Sequence, residues 1–125
     1  MKRDDWEGGH RTPFIVRWPG KVNAGITSDQ LISLTDIMAT CAEITGTKLP
    51  NNAAEDSYSF LPVLLGNQGD KPVRQYMMQQ TNLLDLSIRE GMWKYLDHKG
   101  SGGNDYSKGS LVQYQNKDND PEAKG

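Results

Sequence analysis

Apolar positions fall into short, separated groups along this chain. The first is Pro13-Phe14-Ile15-Val16-Arg17-Trp18, a β-branched and aromatic run that predicts a strand, stopped by Pro19-Gly20. Leu34, Ile37, Met38, Cys41 and Ile44 then recur at helical spacing and predict a helix with one apolar face. Ser33 and Asp36 form a capping-box pattern at its start, and Gly46 stands where a C-terminal cap belongs. Ser59 to Gly66 reads as a short helix, with Pro62 tolerated in its first turn. The stretch "GNQGDKP" at 66–72 marks a boundary, after which three extended segments follow at 73–80, 83–89 and 92–97. Glu90-Gly91 is the expected hairpin turn between the last two. Residues 2–12 and 47–57 read as loops, 21–30 as a turn-rich connection, and "KGSGGN" (99–104) as a flexible loop. From Asp105 onward the chain is polar, and that tail is expected to be weakly ordered on its own.

Composition narrows the function classes. The 125 residues suffice for one ordinary domain, but only 35% are hydrophobic, so the expected core is modest. A formal net charge of -2, with Lys and Arg scattered, gives no basic groove for nucleic acid or an anionic membrane. No run approaches the roughly 20 apolar residues that span a bilayer. The single cysteine, Cys41, can form neither an internal disulfide nor a cysteine metal cage. It falls on the apolar helix face and is expected to be a packed core residue.

Candidate chemistry concentrates in "KRDDWEGGHRTPFIVRWPG", residues 2–20. Lys2 is a compact cation with three donors, suited to an oxyanion. Gly8 and Gly9 would let the backbone adopt positive φ and pass close to another group. By spacing alone this is a weak anion-binding signal, and a mobile lysine with a structural Gly-Gly turn is the reading that composition favours. The full stretch resembles the type I, formylglycine-dependent sulfatases. Those enzymes carry a segment of the form G-x-K-x-x-x-W/Y-E-G-G-x-R-x-P-F-x-x-x-W-P-G. Lys2 stands four residues before Trp6, and Glu7-Gly8-Gly9-His10-Arg11, Pro13-Phe14 and Trp18-Pro19-Gly20 fall in register. The similarity continues through residues 28–46, 53–66 and 88–104, about 100 residues in order, which is far more specific than one motif.

The resemblance implies an α/β fold: part of an alkaline-phosphatase-like sulfatase. Residues 1–67 would be the C-terminal end of the main α/β domain, and 68–125 a small antiparallel C-terminal subdomain, incomplete. It implies sulfate-ester hydrolysis in a complete protein, with this chain a C-terminal fragment that starts within the family sequence and is inactive alone. In the family a Cys or Ser in C/S-x-P/A-x-R becomes the formylglycine nucleophile, and a divalent cation, usually Ca2+, holds the sulfate. Neither the nucleophile motif nor a metal-ligand set is expected in this chain. Cys41 lacks the required Pro and Arg, and Asp4-Asp5 reads as solvated loop charge. Lys2 carries over as the catalytic cation, binding a sulfate oxygen and stabilising charge that develops in the transition state. His98, beside Lys99 and the "GSGGN" loop, is the second substrate-binding candidate, for a sugar or a distal sulfate, with an exposed loop residue as the other reading. His10 is expected to pack near the strand entry, Glu7 and Arg11 to pair within their loop, and Trp6, Trp18 and Trp93 to anchor packing. The expected partners are a sulfate ester or sulfated carbohydrate and the N-terminal part of the sulfatase. A periplasmic or secreted location is common in the family. Two alternatives stay open: a non-catalytic module binding sulfated glycans through Lys2, His98 and Lys99, and a phospho-transfer enzyme of the same superfamily.

Overall fold

The structure, a computed structural model, describes residues 2–114. The remainder of the polar tail, residues 115–125, lies outside the described residues. The chain divides into two compact units, one of residues 1–14 with 78–125 and one of residues 15–77.

In the second unit, α2 (Asp36–Thr45) forms where the helical pattern predicted it and ends on Gly46 in the left-handed region, φ 68°. Half of the capping box is made: the Ser33 N–H donates to Asp36 Oδ2 at 2.7 Å. Asp36, fully buried, also accepts from the Tyr58 N–H at 2.9 Å and receives both arms of the Arg74 guanidinium, Nε at 3.2 Å and a second nitrogen on Oδ1. That guanidinium lies over the Tyr58 ring, 4.9 Å from its centroid. The short α3 (Leu61–Leu64) begins with Pro62 in its first turn, and Phe60 just before it is buried. Thr40 links the two helices, donating to the Asp36 carbonyl at 2.7 Å and accepting from the Phe60 N–H at 3.1 Å. The two ends of this unit depart from the sequence expectation. No strand forms at 13–18, because no ladder partner runs beside that stretch among the described residues. The apolar face of α2 is not packed: Leu34 is 70% exposed, Met38 51%, and Cys41 is exposed rather than a core residue. Those side chains line an open hollow of about 790 Å³, which Asn52 and residues 54–57 also line.

The first unit holds a three-stranded sheet in the order β1 (Tyr76–Gln80), β2 (Leu86–Glu90), β3 (Trp93–Leu96). β1 and β3 fall inside the expected extended segments, and β2 runs one residue past its own, to Glu90. The β2–β3 hairpin pairs Glu90 with Trp93, so its turn is Gly91-Met92, one residue later than Glu90-Gly91. Gly91 adopts φ +53°, which explains the glycine there. The register puts Ser87, Arg89, Lys94 and Leu96 on one face and Ile88, Glu90, Trp93 and Tyr95 on the other. The second face is the apolar one, yet Trp93 is 84% exposed and Tyr95 64%. Trp93 is therefore not a packing anchor: the covered face of the hairpin is its polar face, turned to residues 5–7. Within 2–12, expected to be all loop, residues Glu7–His10 make one helical turn, α1. Gly8 and Gly9 sit in that turn, so their use is not positive φ. A 3-10 helix, Gly109–Tyr114, closes the described chain.

Candidate functional site

Asp4 and Asp5 are the centre of the first unit, not solvated loop charge. Both are fully buried. An ionised carboxylate survives burial only if donors surround it, and here each has its own set.

Asp4 Oδ1 accepts from the Asn104 backbone N–H at 3.1 Å and from Asn104 Nδ2 at 2.6 Å. Its Oδ2 accepts from the Tyr106 hydroxyl. Burial alone would raise the Asp4 pKa; hydrogen bonds, those of Tyr106 and Asn104 among them, outweigh it and hold the carboxyl below its ordinary range. Tyr106 moves the opposite way, pushed up to about 12 by burial and by the Asp4 carboxylate its proton serves. Tyr106 is itself buried and stacks on Trp6, with ring centroids 5.6 Å apart. The Trp6 indole N–H donates to the Gly100 carbonyl at 3.0 Å. Trp6 is thus the packing anchor expected of it.

Asp5 faces the sheet. Its Oδ1 accepts from the Ser87 hydroxyl at 2.6 Å, its Oδ2 lies 3.1 Å from His98 Nε2, and its carbonyl accepts from Lys94 Nζ. His98 Nδ1 lies 3.2 Å from the Lys99 carbonyl. An acceptor at each ring nitrogen favours protonation of the imidazole. Burial works against it, but the Asp5 and Lys99 contacts prevail and raise the His98 pKa. His98 is not an exposed loop residue: its side chain is 8% exposed and packs under Gly102, where a Cβ would come within 2.6 Å of the ring. His10 Nε2 lies 3.2 Å from Asp5 Oδ1, out of line for a hydrogen bond, and is a buried polar atom without a hydrogen-bond partner among the described residues. Burial and the nearby Lys94 charge lower its pKa. Glu7 pairs with Arg89 at 2.7 Å and more loosely with Arg11 at 4.0 Å. Trp6, Glu7, Arg89, Met92, Lys94 and Leu96 line a hollow of about 360 Å³.

Lys2, the expected catalytic cation, is exposed, and its carbonyl accepts from Asn104 Nδ2 at 2.8 Å. The structure thus holds Lys2 and His98 in one unit, each against the loop 99–104. Ser87, Lys94, Asn104 and Tyr106 were missed by sequence reasoning. The only signal was an aromatic residue, Tyr106, inside a polar stretch. Among the described residues no three His, Cys, Asp or Glu side chains form a group able to hold a metal. Asp4 and Asp5 do not fit calcium, because their oxygens already accept from protein donors. No described helix is long and apolar enough to cross a membrane.

Comparisons with known proteins give this arrangement a context. A solved Bacteroides thetaiotaomicron structure, described under the metabolism of multiple glycosaminoglycans, superposes with a TM-score of 0.67 at 40% identity, covering 80% of this chain and 20% of that one. The architecture is that of the C-terminal part of an alkaline-phosphatase-like sulfatase. An N-acetylgalactosamine-6-O-sulfatase of the same organism is 42% identical over 96 residues, 77% of this chain and 18% of the relative. An arylsulfatase of Hemicentrotus pulcherrimus is 38% identical over 74% of this chain and 16% of its own length. The family model described as N-sulphoglucosamine sulphohydrolase, C-terminal, matches residues 1–82, and the chain belongs to that family. It spans less than a fifth of the length of these curated relatives.

Proposed function

We propose that this chain is the C-terminal part of a sulfuric ester hydrolase and contributes Lys2 to its sulfate-binding site. The observation that carries the reading is the 42% identity to an N-acetylgalactosamine-6-O-sulfatase over 77% of the chain, together with the family model that matches residues 1–82. Residues 1–67 would complete the main α/β domain and 68–125 the small C-terminal subdomain. The Lys2 ammonium binds a sulfate oxygen by a charge-assisted hydrogen bond and stabilises the charge that grows there as the ester bond breaks. His98 borders the same substrate, its ring held by protein acceptors at both nitrogens. The substrate class is a sulfated carbohydrate or aryl sulfate. Relatives named for N-acetylgalactosamine-6-sulfate and for ulvan support the carbohydrate side. The family's calcium ion and formylglycine nucleophile would be held by other parts of the protein, since Cys41 lacks the C-x-P-x-R context.

A turnover assay on an aryl sulfate and on a 6-sulfated N-acetylgalactosamine, with calcium present, tests the reading. The complete protein is expected to release sulfate, and the 125-residue chain alone is expected not to. Robust hydrolysis by the 125-residue chain, or none by the complete protein on any sulfate ester, would contradict it. Salt-sensitive binding of a sulfated but not a desulfated glycan, without turnover, would favour a non-catalytic binding module instead.

A further inference from the structure

We propose that Asn104 is a positioning residue for Lys2, with Asp4 and Tyr106 as its support; the proposal rests on Lys2 being the sulfate contact. Lysine is a poor tool for placing a charge. Four rotatable bonds separate its ammonium from the backbone, so a useful position requires that the Cα and its direction be held. The loop 100–106 supplies that hold from about a hundred residues away in sequence.

A set of hydrogen bonds fastens residues 2–6 to this loop. Asn104 Nδ2 donates both to the Lys2 carbonyl, at 2.8 Å, and to Asp4 Oδ1, at 2.6 Å. The Tyr106 hydroxyl donates to the other oxygen of Asp4. The Asp5 N–H donates to the Ser101 carbonyl at 2.7 Å. The Trp6 indole donates to the Gly100 carbonyl at 3.0 Å. Between these fastenings Arg3 takes φ +83°, a region that is costly for a non-glycine residue and persists only where the surroundings over-determine it. The loop also fits the strained turn closely. A Cβ on Gly103 would lie 2.0 Å from the Arg3 carbonyl oxygen, so only glycine fits there. The Asn104 side chain touches Lys2 and its support together. It uses both amide hydrogens of Nδ2, which makes it a bridge rather than a loop filler. The stretch "GSGGN" thus reads as a clamp: glycines for close approach, then an asparagine for the bridge.

A double-mutant cycle in the complete sulfatase, assayed on an aryl sulfate, tests this. Lys2→Ala is expected to lower kcat/KM on the order of a hundred- to thousandfold. Asn104→Ala is expected to lower kcat roughly 10- to 100-fold through misplacement of the ammonium, with KM changed far less. In the Lys2→Ala background, Asn104→Ala is expected to cost nothing more, because it acts only through Lys2. Equal losses from Asn104→Ala in both backgrounds would overturn the positioning role and leave a structural one. A Lys2→Ala enzyme with wild-type rates would overturn instead the reading of Lys2 on which the proposal rests. If Asn104→Ala fails to fold, Tyr106→Phe removes one proton donor from the support and is read by the same cycle.

Discussion

Asp4 and Asp5 are adjacent in sequence and opposite in task. Asp4 gathers donors from the loop 101–106, and Asp5 from the sheet and from His98. Adjacent charges in a polar stretch carry no periodic signal, so sequence reasoning assigned them to solvent; their donors lie 82 to 102 positions away. Trp6 and Glu7 were legible, because they sit in a spaced motif. Titration separates the groups. Tyr106, at about 12 in the folded state against 10.0 ordinarily, favours folding below pH 10 and loses that contribution as pH rises through both values. A fraction of the tyrosine absorbance is expected to titrate late and to disappear in Tyr106→Phe, which should also cost about 1–3 kcal/mol by leaving Asp4 short of a donor. Early titration of every tyrosine would contradict the buried pair. The histidines should diverge under NMR. His98 is expected above its ordinary 6.5 and His10 below. His98 then stabilises the fold below about pH 6.5 and ceases to as pH rises through its folded value. His10 has the reverse sign: its contribution is present above 6.5 and fades as pH falls toward its folded value. Asp5→Asn is expected to bring His98 down, and an unchanged value would exclude Asp5 as the cause.

At the scale of elements, the helix α2, its glycine cap, the proline-led α3 and the three strands follow from local pattern. What pattern did not reveal is which face each element buries. In α2 the firmly held residues are Asp36 and Thr40, while the apolar stripe stays open. In the hairpin the covered face carries Ser87, Arg89 and Lys94. Periodicity identifies an apolar face but does not supply what covers it, and the described residues contain no such element. The buried apolar side chains among the described residues are Phe60 and Tyr106. Each unit is therefore held by a carboxylate network at least as much as by apolar burial. Asp36→Ala would strand the Arg74 guanidinium, whose side chain is 10% exposed, and is expected to destabilise the unit by about 3–5 kcal/mol. Thermal unfolding measures it; a change under 1 kcal/mol would show that Arg74 finds solvent or another partner.

For the whole molecule, the exposed stripe Leu34, Ile37, Met38 and Ile44 and the exposed strand face of Ile88, Trp93 and Tyr95 are more than scattered surface apolar residues. The 125-residue chain is expected to bind a hydrophobic dye and to self-associate with rising concentration, as sedimentation would show. A monodisperse, dye-free monomer at high concentration would mean that these faces are covered. The same faces agree with a family whose curated members are more than five times the length of the region shared with this chain. The central claim, that this segment places a lysine on the sulfate of a substrate, is tested most directly by kcat/KM of the complete protein carrying Lys2→Ala. The expected loss on an aryl sulfate is on the order of a hundred- to thousandfold with the fold intact; retention of wild-type turnover would contradict it.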